Sequence, residues 1–415
     1  MPRIGRFPPF GKRFFRRVRK LIGSCHFSHF WRAVVTLAAM QGRRSLRKLE
    51  AGCRNHRSRQ SIGFFLTKAQ WNAPALLAEK ALDTLKMLGW KAGLPLDLLF
   101  DDTQKKKRGK QMDALSKIFL HAEKVYAQGH TILGCAIVYR GVVIPYAVRL
   151  WAPKSFCAKT QQKSYEGEPI EYRKLTEMVG EIVADFPLAK VTVLFDAYYL
   201  CPTVTRACEA KHYHYVGVAK KNRNFFPDGR DRDKRKLATY GKNLLGRVGR
   251  TTACRGKKYR LAERVGRLSK LGRVKLVFSR RANERSWIAM ATNATRWGAL
   301  RVLNHYLDRW PIEVLFKESK QYLGLGDYQV LRYRGIERYL CLVLIAHLLL
   351  THLGAAAQGA QAEPENTKPL DLPSVPRLQN LLRSKLWDDN INSMEQGSRN
   401  RRVGKKLKEL ILLDT

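Results

Sequence analysis

The rhythm of hydrophobic and polar positions changes at residue 93. From about residue 27 to residue 88 apolar side chains recur every three or four positions, which predicts helices. Ser45 stands where a helix N-cap belongs and Gly52 where a helix stops. Beyond Lys91-Ala92-Gly93 the period shortens. Residues 94–100 are an apolar run that predicts a buried strand delivering Asp101-Asp102-Thr103 at its end, before a basic loop over 104–110. Residues 125–139 and 142–151 predict a strand pair turned at Arg140-Gly141. An amphipathic helix over 171–186 precedes a second buried strand, 190–195, which again ends in an acid, Asp196. A helix over 204–210 and a strand over 212–219 follow, leading to Lys220 and Lys221.

Residues 228–285 break the alternation. They are rich in Arg, Lys and Gly, and 273–279 alternate apolar with polar, which predicts a strand-rich insertion with a basic face. A strand over 287–291 leads to a helical stretch, 306–320, whose polar members Tyr306, Arg309, Glu313, Lys317 and Lys320 are spaced 3, 4, 4 and 3 apart. That spacing stacks them on one helix face. Pro311 suits only a first turn or a kink, so the helix is expected to start or restart near Trp310. Residues 336–353 predict a buried helix. Their most apolar part, 340–350, is too short for a membrane span.

Charge changes the picture most. The 415-residue chain carries 78 Lys and Arg against 34 Asp and Glu, a net +44, so nucleic acid is the default partner. The excess is concentrated: residues 1–60 hold sixteen basic side chains and one acid, and residues 230–285 hold twenty and four. Two separated basic surfaces suggest one long footprint, with binding that weakens steeply with salt. The eight cysteines show no CxxC pair and no zinc spacing, so neither a zinc site nor a disulfide framework is indicated, and a reducing compartment fits. No signal peptide is evident, and a soluble protein without a membrane partner is expected.

Three acids stand in matching contexts: Asp101 and Asp196 at strand ends, and Glu313 on a later helix among cations. Carboxylates suit a divalent metal, and flanking cations suit phosphate oxygens. Two strands, a crossover and a further strand with helices between form the pattern of a ribonuclease-H-like α/β core. The acids are 95 and 117 residues apart, so only folding can bring them together. Three carboxylates there would share two Mg2+ ions, one activating an attacking hydroxyl and one stabilising the leaving oxygen.

At these residues the sequence resembles the bacterial DDE transposases with a Y-R-E-K signature, the insertion-sequence-four-like group related to the transposon-five transposase. Tyr306, Arg309, Glu313 and Lys320 reproduce the signature spacing. Asp101-Asp102-Thr103 with Lys107 and Gly109 is similar to the D-D-T-x3-K-x-G motif of a subgroup, and residues 193–199 to the second-aspartate strand. The resemblance covers roughly residues 95–339. It implies cut-and-paste transposition at terminal inverted repeats, with Asp101, Asp196 and Glu313 as catalytic metal ligands for Mg2+, replaceable by Mn2+. It implies that Arg309, Lys320 and Tyr306 contact double-stranded DNA near the cleavage point, that Trp287 stacks on a flipped base, and that the protein works as a homodimer on DNA in the bacterial cytoplasm. Lys317 on the same helix face, and Arg43, Arg44 and Arg47 in a helix-turn-helix-like segment, complete the expected DNA contacts. An ordinary helical bundle with solvated arginines would give that segment the same pattern.

The expected organisation is a basic flexible arm (1–24), a helical DNA-binding domain (25–92), a ribonuclease-H-like catalytic domain (93–354, with the insertion at 228–285), a linker (355–373) and a basic tail (374–415). Asp102 is the alternative to Asp101, but strand alternation puts the two carboxylates on opposite faces, so one of them serves. Another nuclease of the same fold, or a DNA-binding relic, are the competing readings; a relic predicts a lost acid, and all three are present.

Overall fold

The computed structural model describes residues 7–52, 58–120, 123–359 and 369–395. The helices run α1 Gly11–Phe14, α2 Val18–Ile22, α3 Ser24–Ala39, α4 Leu46–Ala51, α5 Arg59–Thr67 and α6 Ala73–Met87. They continue with α7 Lys154–Cys157, α8 Leu175–Asp185, α9 Pro202–Ala210, α10 Leu237–Val248, α11 Ala299–Leu307, α12 Pro311–Tyr322, α13 Tyr333–Ala357 and α14 Val375–Glu395. The strands are β1 Leu96–Lys106, β2 Ser116–Leu120, β3 Val125–Tyr139, β4 Val142–Leu150, β5 Val191–Phe195 and β6 His214–Val218. After them come β7 Asn224–Phe226, β8 Arg235–Lys236, β9 Arg250–Cys254, β10 Lys257–Leu268, β11 Gly272–Arg281 and β12 Ile288–Thr292.

All twelve strands join one sheet in the order β2-β3-β1-β5-β6-β12-β11-β10-β7-β8, with β4 beside β3 and β9 beside β10. Only β1–β5 and β5–β6 are parallel; the other pairs are antiparallel. The architecture is therefore mixed α/β around a large, mostly antiparallel sheet. β1 keeps its partner β5 only as far as Leu99, opposite Leu194. From Asp101 to Lys106 its strand partner is β3, and no described strand runs along its other edge.

The strand is longer than its apolar run implied. β1 continues through the basic residues to Lys106, because β3 offers a matching ladder as far as Gly129. Asp101 consequently sits in mid-strand and not at a strand end. The helical stretch over 306–320 also differs from its sequence reading. Tyr306 ends α11, and Arg309, Glu313, Lys317 and Lys320 belong to a turn and to α12, with Pro311 at the first helical position.

The hydrophobic centre is α13, in which every residue from Gly335 to Ala355 is buried. By length and composition it could cross a membrane, with mean hydropathy 2.1 over eighteen residues, but 89% of that window is covered by the rest of the fold. It packs on α3, α6, α14 and β4. The N-terminal helices share this core instead of forming one of their own. The expected flexible arm is not free from residue 7 onward: Phe14, Phe15, Val18 and Ile22 are buried, and Phe14 meets His352 of α13 edge-on at 5.7 Å. Burying these large apolar side chains outweighs the solvation of the arginines between them. Residues 1–6, residues 53–57 with the basic side chains Arg54, His56 and Arg57, linker residues 360–368 and tail residues 396–415 lie outside the described residues. The rest of the linker and tail docks. The Leu370 amide donates to the Arg140 carbonyl at 2.8 Å, and Leu378, Leu382 and Leu386 of α14 are buried.

Candidate active site

Alternation along β1 sends Asp97, Asp101, Thr103 and Lys105 to one face and Asp102 and Gln104 to the other. The odd-numbered face is covered by α11 and α12. His305 of α11 meets Asp97 at 3.0 Å. Arg309, in the turn between the two helices, meets Asp101 at 3.4 Å and also hydrogen-bonds Glu313 one turn on. Lys320, two turns further, donates to the Thr103 hydroxyl and, at 3.2 Å, to the Gln104 carbonyl. Lys107 completes the seam by donating to the carbonyls of Gly326 at 3.0 Å and Tyr328 at 2.9 Å, in the loop after α12. The D-D-T-x3-K stretch and the R-E-K residues, 200 positions apart in sequence, are thus braced against each other along their length. Close approach is possible because Gly134, opposite Asp101 on β3, has no side chain: a Cβ there would lie 2.5 Å from the Phe316 ring of α12.

The far end of α12 is held by Arg44. This residue is buried, donates to the Met40 carbonyl at 2.6 Å and to the Gly42 and Tyr322 carbonyls, and its amide donates to Asp327 at 2.9 Å. Its expected DNA contact is replaced by a structural one, satisfying a carbonyl that the end of α12 leaves open. Gly324, at φ +75, makes the turn beneath it, where an added Cβ would strike the Arg44 side chain at 2.8 Å. Arg43, Arg47 and Lys317 are exposed.

Asp196 follows β5 directly, and its carboxylate accepts from the Tyr198 amide at 2.8 Å and the Tyr199 amide at 3.4 Å. The Tyr199 hydroxyl, on a fully buried ring, donates to Asp102 at 2.7 Å. Asp101 and Asp102 therefore part company: the first faces Arg309 and Glu313, the second faces Tyr199. Burial is the main force on the Asp101 carboxyl and pushes it up to about 7; Arg309 opposes the rise, while Asp102 and Asp196 add to it. Burial alone would lower the Arg309 guanidinium, but Asp101 and Glu313 together hold it above its ordinary value.

Among the described residues no group of three or more His, Cys, Asp or Glu side chains is placed to hold a metal ion. The three acids thus form no ready cage in the free protein, and a guanidinium bridges two of them. The donors themselves suit a hard divalent cation, being carboxylate oxygens. The desolvation that disfavours a charged Asp101 is also what a nearby cation relieves.

Trp287 precedes β12, half-buried against Phe278, with α10 at its back and the Lys221 ammonium 4.3 Å above its ring. Tyr306 is half-buried at the end of α11. Tyr199 and Thr103 had no role in the sequence reading, and Lys221 was read only as a lysine that could touch DNA or simply be solvated. Both Tyr199 and Thr103 lay inside quoted stretches, but a tyrosine hydroxyl reaching an acid 97 positions away leaves no sequence signal of its own.

A family model described as DDE superfamily endonuclease matches residues 29–273, more than half of the chain, a span that includes Asp101 and Asp196 and ends before Glu313. No curated protein matches the chain. With two of its acids inside the matched span, the chain belongs to the DDE superfamily of endonucleases.

Proposed function

We propose that this endonuclease is a DNA transposase, cutting an insertion sequence out at its terminal inverted repeats and joining it to target DNA. The observation that carries the reading is the seam between β1 and α12. It sets Asp101 and Glu313 on a single arginine and adds Lys320 and Lys317 along the same helix. The strand order β4-β3-β1-β5-β6, with β1, β5 and β6 parallel, supports a ribonuclease-H-like core, and the α10–β11 segment supports the strand-rich insertion.

Asp101, Asp196 and Glu313 would hold two Mg2+ ions, or Mn2+ in their place, which when bound would activate the attacking hydroxyl and stabilise the leaving oxygen. The chain's own residues do the rest. Arg309 neutralises Asp101 and Glu313 in the free protein. Its planar fork is also suited to a phosphate oxygen beside those carboxylates. Lys320 and Tyr306 lie along the same side, and Lys317, Arg43 and Arg47 present exposed charge to duplex DNA. Trp287, with Lys221 on its ring, is the platform for an extruded base. Work by two copies of the chain on paired element ends, in the bacterial cytoplasm, completes the proposal.

The test is Mg2+-dependent nicking of a duplex carrying the sequence that flanks the coding region. Wild-type protein should nick it, and Glu313→Gln should not, while both bind it alike, because the substitution removes a ligand and leaves the phosphate contacts. Normal nicking by the variant would refute the site.

A further inference from the structure

The face of β1 turned away from α12 holds a second feature. Asp102 and Gln104 open onto a cavity of about 510 Å3 between β2, β3 and the approach to α8, a volume in the range that holds small-molecule ligands. Its walls are aromatic. Phe119 and Tyr126 pair at 5.1 Å on one side, and Trp151 and Tyr172 pair edge-on at 6.2 Å on the other. Tyr198, half exposed, stands at the mouth. Cations lie over these rings: Lys117 is 4.4 Å from the Tyr126 ring, and Lys154 is 5.1 Å from the Tyr172 ring. Tyr126 is 66% exposed, an unusual place for a large ring unless something covers it. The Ser116 hydroxyl, buried in the cavity wall, has no hydrogen-bond partner.

We propose that this cavity takes unpaired nucleotides of the DNA strand whose phosphate lies at Asp101, so that the two faces of β1 grip one strand. The inference rests on the proposed transposase reading and adds a binding subsite to it. Aromatic rings interleaved with lysines suit single-stranded nucleic acid: rings stack on bases and ammonium groups follow the phosphates. Continuity with the active site is direct. Asp101 and Asp102 are consecutive, about 3.8 Å apart at Cα, and the amide that holds Asp196 belongs to Tyr198. Where β5 leaves β1 after Leu99 no described strand covers the edge, and Lys320 on the Gln104 carbonyl lines the way from one face to the other. Asp102, tied to Tyr199, puts a carboxylate rather than a cation at the inner wall. A base with an exocyclic amino group satisfies such an acceptor, and a phosphate does not, so the base points inward.

The experiment is a fluorescence titration of the full-length protein, in EDTA, with a single-stranded oligonucleotide carrying 2-aminopurine. Stacking quenches the probe. The Tyr126→Ala/Tyr172→Ala double variant should bind the oligonucleotide about fivefold or more weakly and lose the quench, the scale of one or more lost stacking contacts. It should bind fully paired duplex as wild type does. Tyr126→Phe/Tyr172→Phe should restore both single-strand signals, since stacking needs the ring and not the hydroxyl. Unchanged affinity and quench in the alanine variant would overturn the proposal. So would a parallel loss of duplex binding, or failure of the phenylalanine variant to rescue. Failure of the catalytic reading looks different: nicking would be absent throughout while the tyrosine-dependent quench persisted.

Discussion

The two faces of β1 carry adjacent carboxylates in opposite surroundings. On one face Asp101 is pressed under α12, bridged through Arg309 to Glu313 and flanked by Lys320 on Thr103. On the other, Asp102 meets the Tyr199 hydroxyl and lines an open aromatic cavity. A one-residue step along a strand thus separates a closed, charge-compensated face from an open one. The closed face supplies what phosphodiester chemistry needs: a desolvated Asp101 tied through Arg309 to Glu313, with cations close enough to hold phosphate. The open face supplies area for contact. The difference is why the proposed site uses one of the two neighbouring aspartates, even where a motif contains both.

The largest effect expected is on the closed face. Glu313→Gln should lower nicking by about a thousandfold or more, on the scale of losing a principal electrostatic stabiliser of the transition state, with DNA affinity little changed. Next is the packing beneath that chemistry. Gly134→Val would push the Phe316 ring away from β3, where only hydrogen now fits. It should destabilise the fold by about 1–3 kcal/mol, the usual range for overpacking, read as a lower denaturant midpoint. An equal midpoint would mean that α12 rides loosely on the sheet.

A smaller effect comes from acid. His130 shares the closed face, across from Lys105. Its Nε2–H donates to the Asp113 carbonyl at 2.9 Å, and its Nδ1 accepts from the Tyr328 hydroxyl at 2.7 Å, an arrangement only the neutral ring can make. Burial is the main cause that lowers it from 6.5 to about 4. The unfolded chain therefore binds this proton first as pH falls. His130's contribution is fully present above about 6.5, is lost between there and about 4, and amounts to on the order of 2 kcal/mol. His130→Gln should flatten the pH dependence of the melting temperature in that window. An unaltered slope would place the acid sensitivity elsewhere, for example at His347, also held near 4 by burial.

Much of the closed face was legible in the sequence. Pro311 at N1 marked the start of α12, and the 3-4-4-3 spacing put Glu313 between its cations, although Tyr306 fell on the helix before. The strands before Asp101 and Asp196 were visible as apolar runs, because both strands are buried on both faces there. The extension of β1 to Lys106 was not, since its basic half is held by hydrogen bonds and by Lys107 reaching across to the loop after α12, and neither leaves an apolar trace. Arg44 misled for a related reason. An arginine among arginines reads as solvated, yet this one is buried under Gly324, satisfied by carbonyls that only the folded chain brings near. The N-terminal segment misled through its charge. Its phenylalanines at 14 and 15 pack on the core while the arginines beside them stay in water. The aromatic cavity draws on β2, β3, the approach to α8 and the turn after β5, so no single stretch announced it.

The central claim is that Asp101, and not its neighbour, joins Glu313 in the cutting site. Mg2+-dependent nicking by Asp101→Asn and Asp102→Asn proteins, compared on the same duplex end, tests it most directly. The first should be inactive with normal DNA binding, and the second should keep most of its activity, because asparagine still accepts the Tyr199 hydrogen bond. Full nicking by Asp101→Asn, with none by Asp102→Asn, would contradict the account.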